Sequence, residues 1–143
     1  MRAFVVTGVA PRSVGARHTK FWKAAVAQAY DAAHGGAEGL PGDLYAVVVY
    51  FHRRPTQLDA DNLSKPVLDA IEGACYVDDK QVKLRTSGTL HLGEAYVELA
   101  EMGVPDALFD ALRQATAQED HTLYVEVGPL HFSMYQLGRE IPT

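Results

Sequence analysis

At 143 residues, 48% hydrophobic and 22% charged, the chain has the size and composition of one ordinary globular domain, able to bury a core without disulfides or structural metal. No apolar run approaches the roughly 20 residues of a bilayer span, and "FVVTGVA" is too short and too soon followed by Pro11 for a signal peptide, so no membrane partner and a cytoplasmic location are expected. The formal charge of −5 is unevenly spread: residues 1–85 hold eleven of the thirteen Lys and Arg against nine Asp and Glu, net +2, and residues 86–143 hold two against nine, net −7.

The first strand is expected in "RAFVVTGV", residues 2–9, where β-branched and aromatic residues precede a loop. From Ala16 to Ala33, Trp22, Val26, Tyr30 and their neighbours recur at helical spacing, predicting an amphipathic helix with a basic beginning. "HGGAEGLPGD" ends it, and "LYAVVVYFH", residues 44–52, is nearly continuous apolar sequence, as in a strand inside a sheet. After "RRPTQ", Asp61 or Asn62 can cap a helix whose Leu63, Val67, Leu68 and Ile71 face the core, with Pro66 in its first turn and Gly73 at its end. "YVDDKQVKLRTS" and "AYVELAEM" then read as the two strands of a hairpin across "GTLHLGE". A helix over 105–117 and one or two strands in "HTLYVEVGPLHFSMY" complete the chain. The fold class is α+β: a mixed sheet with βαβαββ core order in residues 1–103, and an acidic helix-strand extension over 104–143, within a single domain.

Chemistry concentrates in "QLDADNLSKPVLDAIEGACYVDDKQVKL", residues 57–84. If the chain is extended at Asp59 and Asp61, the two carboxylates point the same way and can share an ion. A helix starting near Asn62 puts Asn62, Lys65 and Asp69 on one face beside them. Of Asp78 and Asp79, entering the next strand, one can project toward the same place. Three acidic oxygens with room for water and phosphate suit Mg²⁺, or Mn²⁺ in its stead. Ordinary structural roles compete at each position: a helix cap for Asp61, a turn for Asp78 and Asp79, an i,i+4 ion pair with Lys65 for Asp69. Cys75, the only cysteine, reads as a small buried side chain, and the six histidines show no HxxxH or HExxH spacing, so a metal would be held mainly by oxygen.

The segment "LDADNLSKPVLDAIEGACYVDDKQV" resembles the RusA-type Holliday junction resolvases, endonucleases that cut four-way DNA junctions. Their Asp-x-Asp-Asn-x-x-Lys-x-x-x-Asp-Ala pattern, followed after a short helix by Asp-Asp-x-Gln-Val, is met at Asp59, Asp61, Asn62, Lys65, Asp69, Ala70, Asp78, Asp79, Gln81 and Val82. The resemblance covers residues 1–103 in order of elements, and its specific motif about 25 residues of them. It implies metal-binding catalytic roles for Asp59, Asp61 and Asp79, a catalytic role for Lys65, Mg²⁺ dependence, and a homodimer that nicks two opposed strands of branched DNA. Arg12, Arg17, Lys20, Lys23, Arg53, Arg54, Lys80, Lys83 and Arg85 are candidate phosphate contacts, while Trp22 and Tyr76 read as core. Competing expectations are a non-catalytic DNA-binding or regulatory protein whose site the acidic extension masks, and a metal-dependent phosphohydrolase acting on small nucleotides.

Overall fold

The computed structural model describes residues 1–11, 19–93 and 98–139. In chain order these form β1 (Arg2–Thr7), α1 (Thr19–His34), β2 (Leu44–His52), α2 (Ala60–Ile71), β3 (Val82–His91), α3 (Asp106–Gln118) and β4 (His121–Pro129), with short 3-10 turns at Asp79–Gln81, Leu99–Met102 and Phe132–Met134. The α+β class holds: one mixed four-stranded sheet, in the order β1-β4-β2-β3, lies between α1 and α2 on one face and α3 on the other. β4 runs antiparallel to both of its neighbours, and β2 and β3 are parallel.

Strand alternation builds the two cores. Phe4 and Val6 of β1, Leu44, Ala46, Val48 and Tyr50 of β2, and Leu123, Val125 and Val127 of β4 face α1 and α2. They meet Trp22, Val26 and Tyr30 of α1 and Leu63, Val67, Leu68 and Ile71 of α2, so the helical stripe expected of residues 16–33 is the buried face of α1, and residues 16–18 lie outside the described residues. Each large side chain so buried contributes roughly 1.5–3 kcal/mol. The opposite face carries Ala3, Phe51 and Tyr124 under Leu112 of α3, with Leu90, Leu99 and Leu108 beside them. Trp22, Cys75 and Tyr76 are all buried, and burial pushes the Cys75 thiol above its usual range.

Two departures from the expected order have plain physical causes. β3 does not turn back as a hairpin: it continues through the Gly88-containing "GTLH" to His91 and pairs in parallel with β2. In the expected return strand, residues 99–102 form a 3-10 turn, and residues 94–97 lie outside the described residues. The strand of the 104–143 stretch is not appended at an edge. β4 pairs with β1 over Arg2↔Val127 to Thr7↔Thr122 and with β2 over Leu44↔Pro129 to His52↔His121, so it is the link between the first two strands. Its inner residues Leu123, Val125 and Val127, all buried, suit that interior place.

Candidate active site

Asp59, not Asp61, is the N-cap of α2: its backbone is extended, and its carboxylate accepts a hydrogen bond from the Asn62 N–H at 3.0 Å. Asp61 therefore lies inside the first helical turn, where the strand-like alternation expected of the pair no longer applies. Its negative charge suits the N-terminal end of the helix dipole. Pro66 sits past the first turn, inside the helix, where it has no N–H to offer the Asn62 carbonyl. Both aspartates are exposed. Between them, the Ala60 carbonyl accepts a hydrogen bond from the Ser87 hydroxyl of β3 at 2.6 Å, which pins the start of the helix to the sheet.

From that pin, α2 runs back along β3. Lys65 and Asp69, one turn apart, form an ion pair at 3.5 Å. They share a cleft of about 330 Å³ with Asp79 of the 3-10 turn and with Lys83 and Arg85 of β3, floored by Leu68, Tyr76 and Val82. The Tyr76 hydroxyl donates to the Leu68 carbonyl at 2.8 Å, joining the floor to the helix. Three cations and two carboxylates line this cleft, so an anion is the better electrostatic match. Asp69 thus stands both in an ion pair with Lys65 and in the cleft wall.

The turn that carries Asp79 is held by its neighbours in the motif. Asp78 caps it, its carboxylate accepting from the Lys80 N–H at 2.9 Å; that bond, with help from Asp79 and the nearby lysines, holds the Asp78 carboxyl below its usual range. Gln81 is the staple. Its amide oxygen accepts from the N–H groups of Val77 and Asp78 at 3.0 and 3.1 Å, and its amide nitrogen donates to the carbonyls of Leu40 and Gly42 at 2.9 and 3.0 Å. The adjacent aspartates therefore divide their work: Asp78 builds the turn and Asp79 faces the cleft.

Asp61 and Asp69 stand about 12 Å of helix rise apart on α2, and Asp79 lines the cleft together with Lys65 and Asp69. Among the described residues no three His, Cys, Asp or Glu side chains gather as a preformed metal cage. The donors nonetheless have the chemistry of a hard divalent ion: exposed carboxylate oxygens beside a cationic cleft. Mg²⁺ is commonly held by one or two carboxylates, with water and substrate phosphate filling its shell.

Sequence reasoning missed a polar group at the far end of the same sheet face. His52 pairs in register with His91 of β3 and with His121 of β4, so three histidines distant in sequence form a row across three strands. The His52 and His91 rings stack at 4.8 Å and 16°, and Tyr50 hydrogen-bonds His121 Nδ1 at 2.6 Å. His52 Nδ1 and His91 Nε2 donate to the carbonyls of Arg54 and Arg53, at 2.7 and 3.0 Å, and so hold the start of the loop that leads to Asp59. Strand register was the only signal for this row, and no local motif carries it. Arg54 pairs with Asp120 at 3.1 Å, while Arg12 and Arg17 lie outside the described residues.

No curated protein matches the chain. The family model described as Endodeoxyribonuclease RusA matches residues 4–98, a span that holds β1 from its third residue, both helices of the inner face, and Asp59, Asp61, Lys65, Asp69, Asp78 and Asp79. The chain belongs to the RusA endodeoxyribonuclease family.

Proposed function

We propose that this protein is a Mg²⁺-dependent, structure-selective endodeoxyribonuclease that resolves Holliday junctions by paired nicks, acting in the cytoplasm as a homodimer. The observation that carries the proposal is the family motif standing on one helix and its facing turn: Asp59, Asp61 and Lys65 on α2, and Asp79 across the cleft from Lys65. Asp59, Asp61 and Asp79 are the residues that would hold the metal. When bound, Mg²⁺ supplies a water of lowered pKa and charge at the phosphoryl oxygens. Lys65, on a long and half-exposed side chain, can leave Asp69 and meet the negative charge that grows on the phosphate. Ser87 and the Asp59 cap fix where the helix presents these groups, so the aspartates reach the substrate from a rigid element.

A site masked by its acidic extension finds no support in the placement of α3, which packs on the opposite face of the sheet from α2. The test is cleavage of a synthetic four-way junction beside linear duplex of the same sequence, with and without Mg²⁺. Asp61→Asn is expected to lower the cutting rate at least about 100-fold, as loss of a group acting on the transition state does, while junction binding stays near the unmodified level. Undiminished cutting by the variant would end the assignment. Competition by free nucleotides would favour a phosphohydrolase instead.

A further inference from the structure

The inner face of the sheet changes character at β3. On β2 and β4 that face is Leu44, Ala46, Val48 and Leu123, Val125, Val127, all buried. Register carries the same face onto β3 at Arg85 (opposite Ala46), Ser87 (opposite Val48), Thr89 (opposite Tyr50) and His91 (opposite His52). Val82, opposite Leu44 and ahead of an irregularity in the register, still packs on the core; after it come Lys83 and Arg85, both exposed, and Ser87, Thr89 and His91, partly exposed. Leu84 and Leu90, opposite Tyr45 and Phe51, fall on the other face. Charged residues on an edge strand blunt aggregation, but that need does not require a continuous polar row on the face next to a row of aspartates.

We infer that one strand of the DNA substrate lies along β3, its phosphates taken by Lys83, Arg85 and Thr89 of this row as it passes the aspartates. The inference rests on the nuclease reading above and names where that activity receives its substrate. The row spans the cleft and continues beyond it. Lys83 and Arg85 line the cleft with Lys65; Ser87 meets the helix at Ala60, between Asp59 and Asp61; Thr89 and His91 lie past the helix start. Successive members stand about 6.6 Å apart, so the row is about 26 Å long, enough for several nucleotides. Charge decides the occupant: Lys65, Lys83 and Arg85 outnumber Asp69 and Asp79 in the cleft, and beyond the Ser87–Ala60 bond the Thr89 hydroxyl adds a further donor. At its far end His91 is fixed by its stack on His52 and its bond to the Arg53 carbonyl.

The experiment measures the affinity of the full chain for a four-way junction at several salt concentrations, in chelator so that no cutting intervenes. Arg85→Gln is expected to weaken binding about 5- to 10-fold and to flatten the slope of log K against log salt by about 1, the loss of one phosphate contact. Thr89→Glu is expected to weaken it further, by placing a negative charge in the row, and Arg113→Gln, on α3 across the sheet, to leave both quantities unchanged. If the unmodified chain binds no junction, the nuclease reading falls and this inference with it. If it binds but Arg85→Gln keeps the affinity and salt slope of the unmodified chain, the track alone is overturned. A third result also overturns it: β3 substitutions that shift the monomer–dimer equilibrium in sedimentation and leave DNA affinity intact would make the strand a protein interface.

Discussion

Tyr45 lies over Gly128 of the neighbouring strand, and its hydroxyl donates to the Glu126 carboxylate, which also accepts from Tyr124. A Cβ on residue 128 would stand 2.8 Å from a ring carbon of Tyr45, so the ring would have to leave both its seat and its partner. Gly128→Ala is therefore expected to cost about 1–3 kcal/mol, the usual range for overpacking, read as a lower midpoint in chemical denaturation with the sheet retained. At this scale the sequence was legible where a residue belongs to a short motif. Asp59, Asp61, Lys65 and Asp79 were visible from spacing and resemblance. Residues whose job is architectural were not: Ser87 and Gln81 act through bonds to carbonyls 27, 39 and 41 positions away, and a capping aspartate differs from a ligand only in where its helix starts. A start two residues earlier than expected moved the cap from Asp61 to Asp59.

Among the elements, α1, β2, α2 and α3 were readable to within a few residues because each carries a strong apolar period of its own. β3 and its supposed return strand were misread for the opposite reason. Gly88 and the small residues around it look like a turn, yet parallel pairing with β2 draws them into a long strand, a tertiary effect that no local pattern records. β4 shows a further limit: the stretch over residues 121–135 reads as strand, but nothing in it says whether that strand is an edge or a centre. Because β1 reaches β2 only through β4, deletion of residues 104–143 is expected to abolish folding rather than to trim an appendage. Loss of amide protection and of a cooperative melt would show it; a truncated chain that melts cooperatively with intact sheet signal would contradict the topology.

The whole molecule carries a pH limit set by its tyrosines. Burial pushes the hydroxyls of Tyr30, Tyr45, Tyr76 and Tyr124 above their ordinary range, and the Glu126 carboxylate adds to the effect at Tyr45 and Tyr124. Their protons are held more tightly in the folded chain than in the unfolded one, whose tyrosines ionise near pH ~10. The stability they contribute is thus complete below that pH and is lost as the pH rises through and beyond it. Thermal melts should fall in midpoint above pH ~10, with phenolate absorbance from these four of the seven tyrosines rising together with unfolding. Early, independent ionisation of all seven would refute the placement. Charge at this scale is sorted by layer: the acidic stretch supplies a strand and the outer helix, and the cations of the cleft face away from α3.

The central place of β4 also orders events in time. Arg2 finds its partner Val127 only after 124 intervening residues have been made, so contacts across the sheet are long-range and closure is expected to be slow. Until residues 121–129 arrive, β2 offers an unpaired edge next to an apolar face, the state most exposed to misassembly. The Ser87–Ala60 pin belongs to β3, which rests on β2, so the helix bearing the aspartates gains its lasting seat only when the last strand is in. A nuclease built this way becomes competent only once residues 121–129 have been made and have paired with β1 and β2.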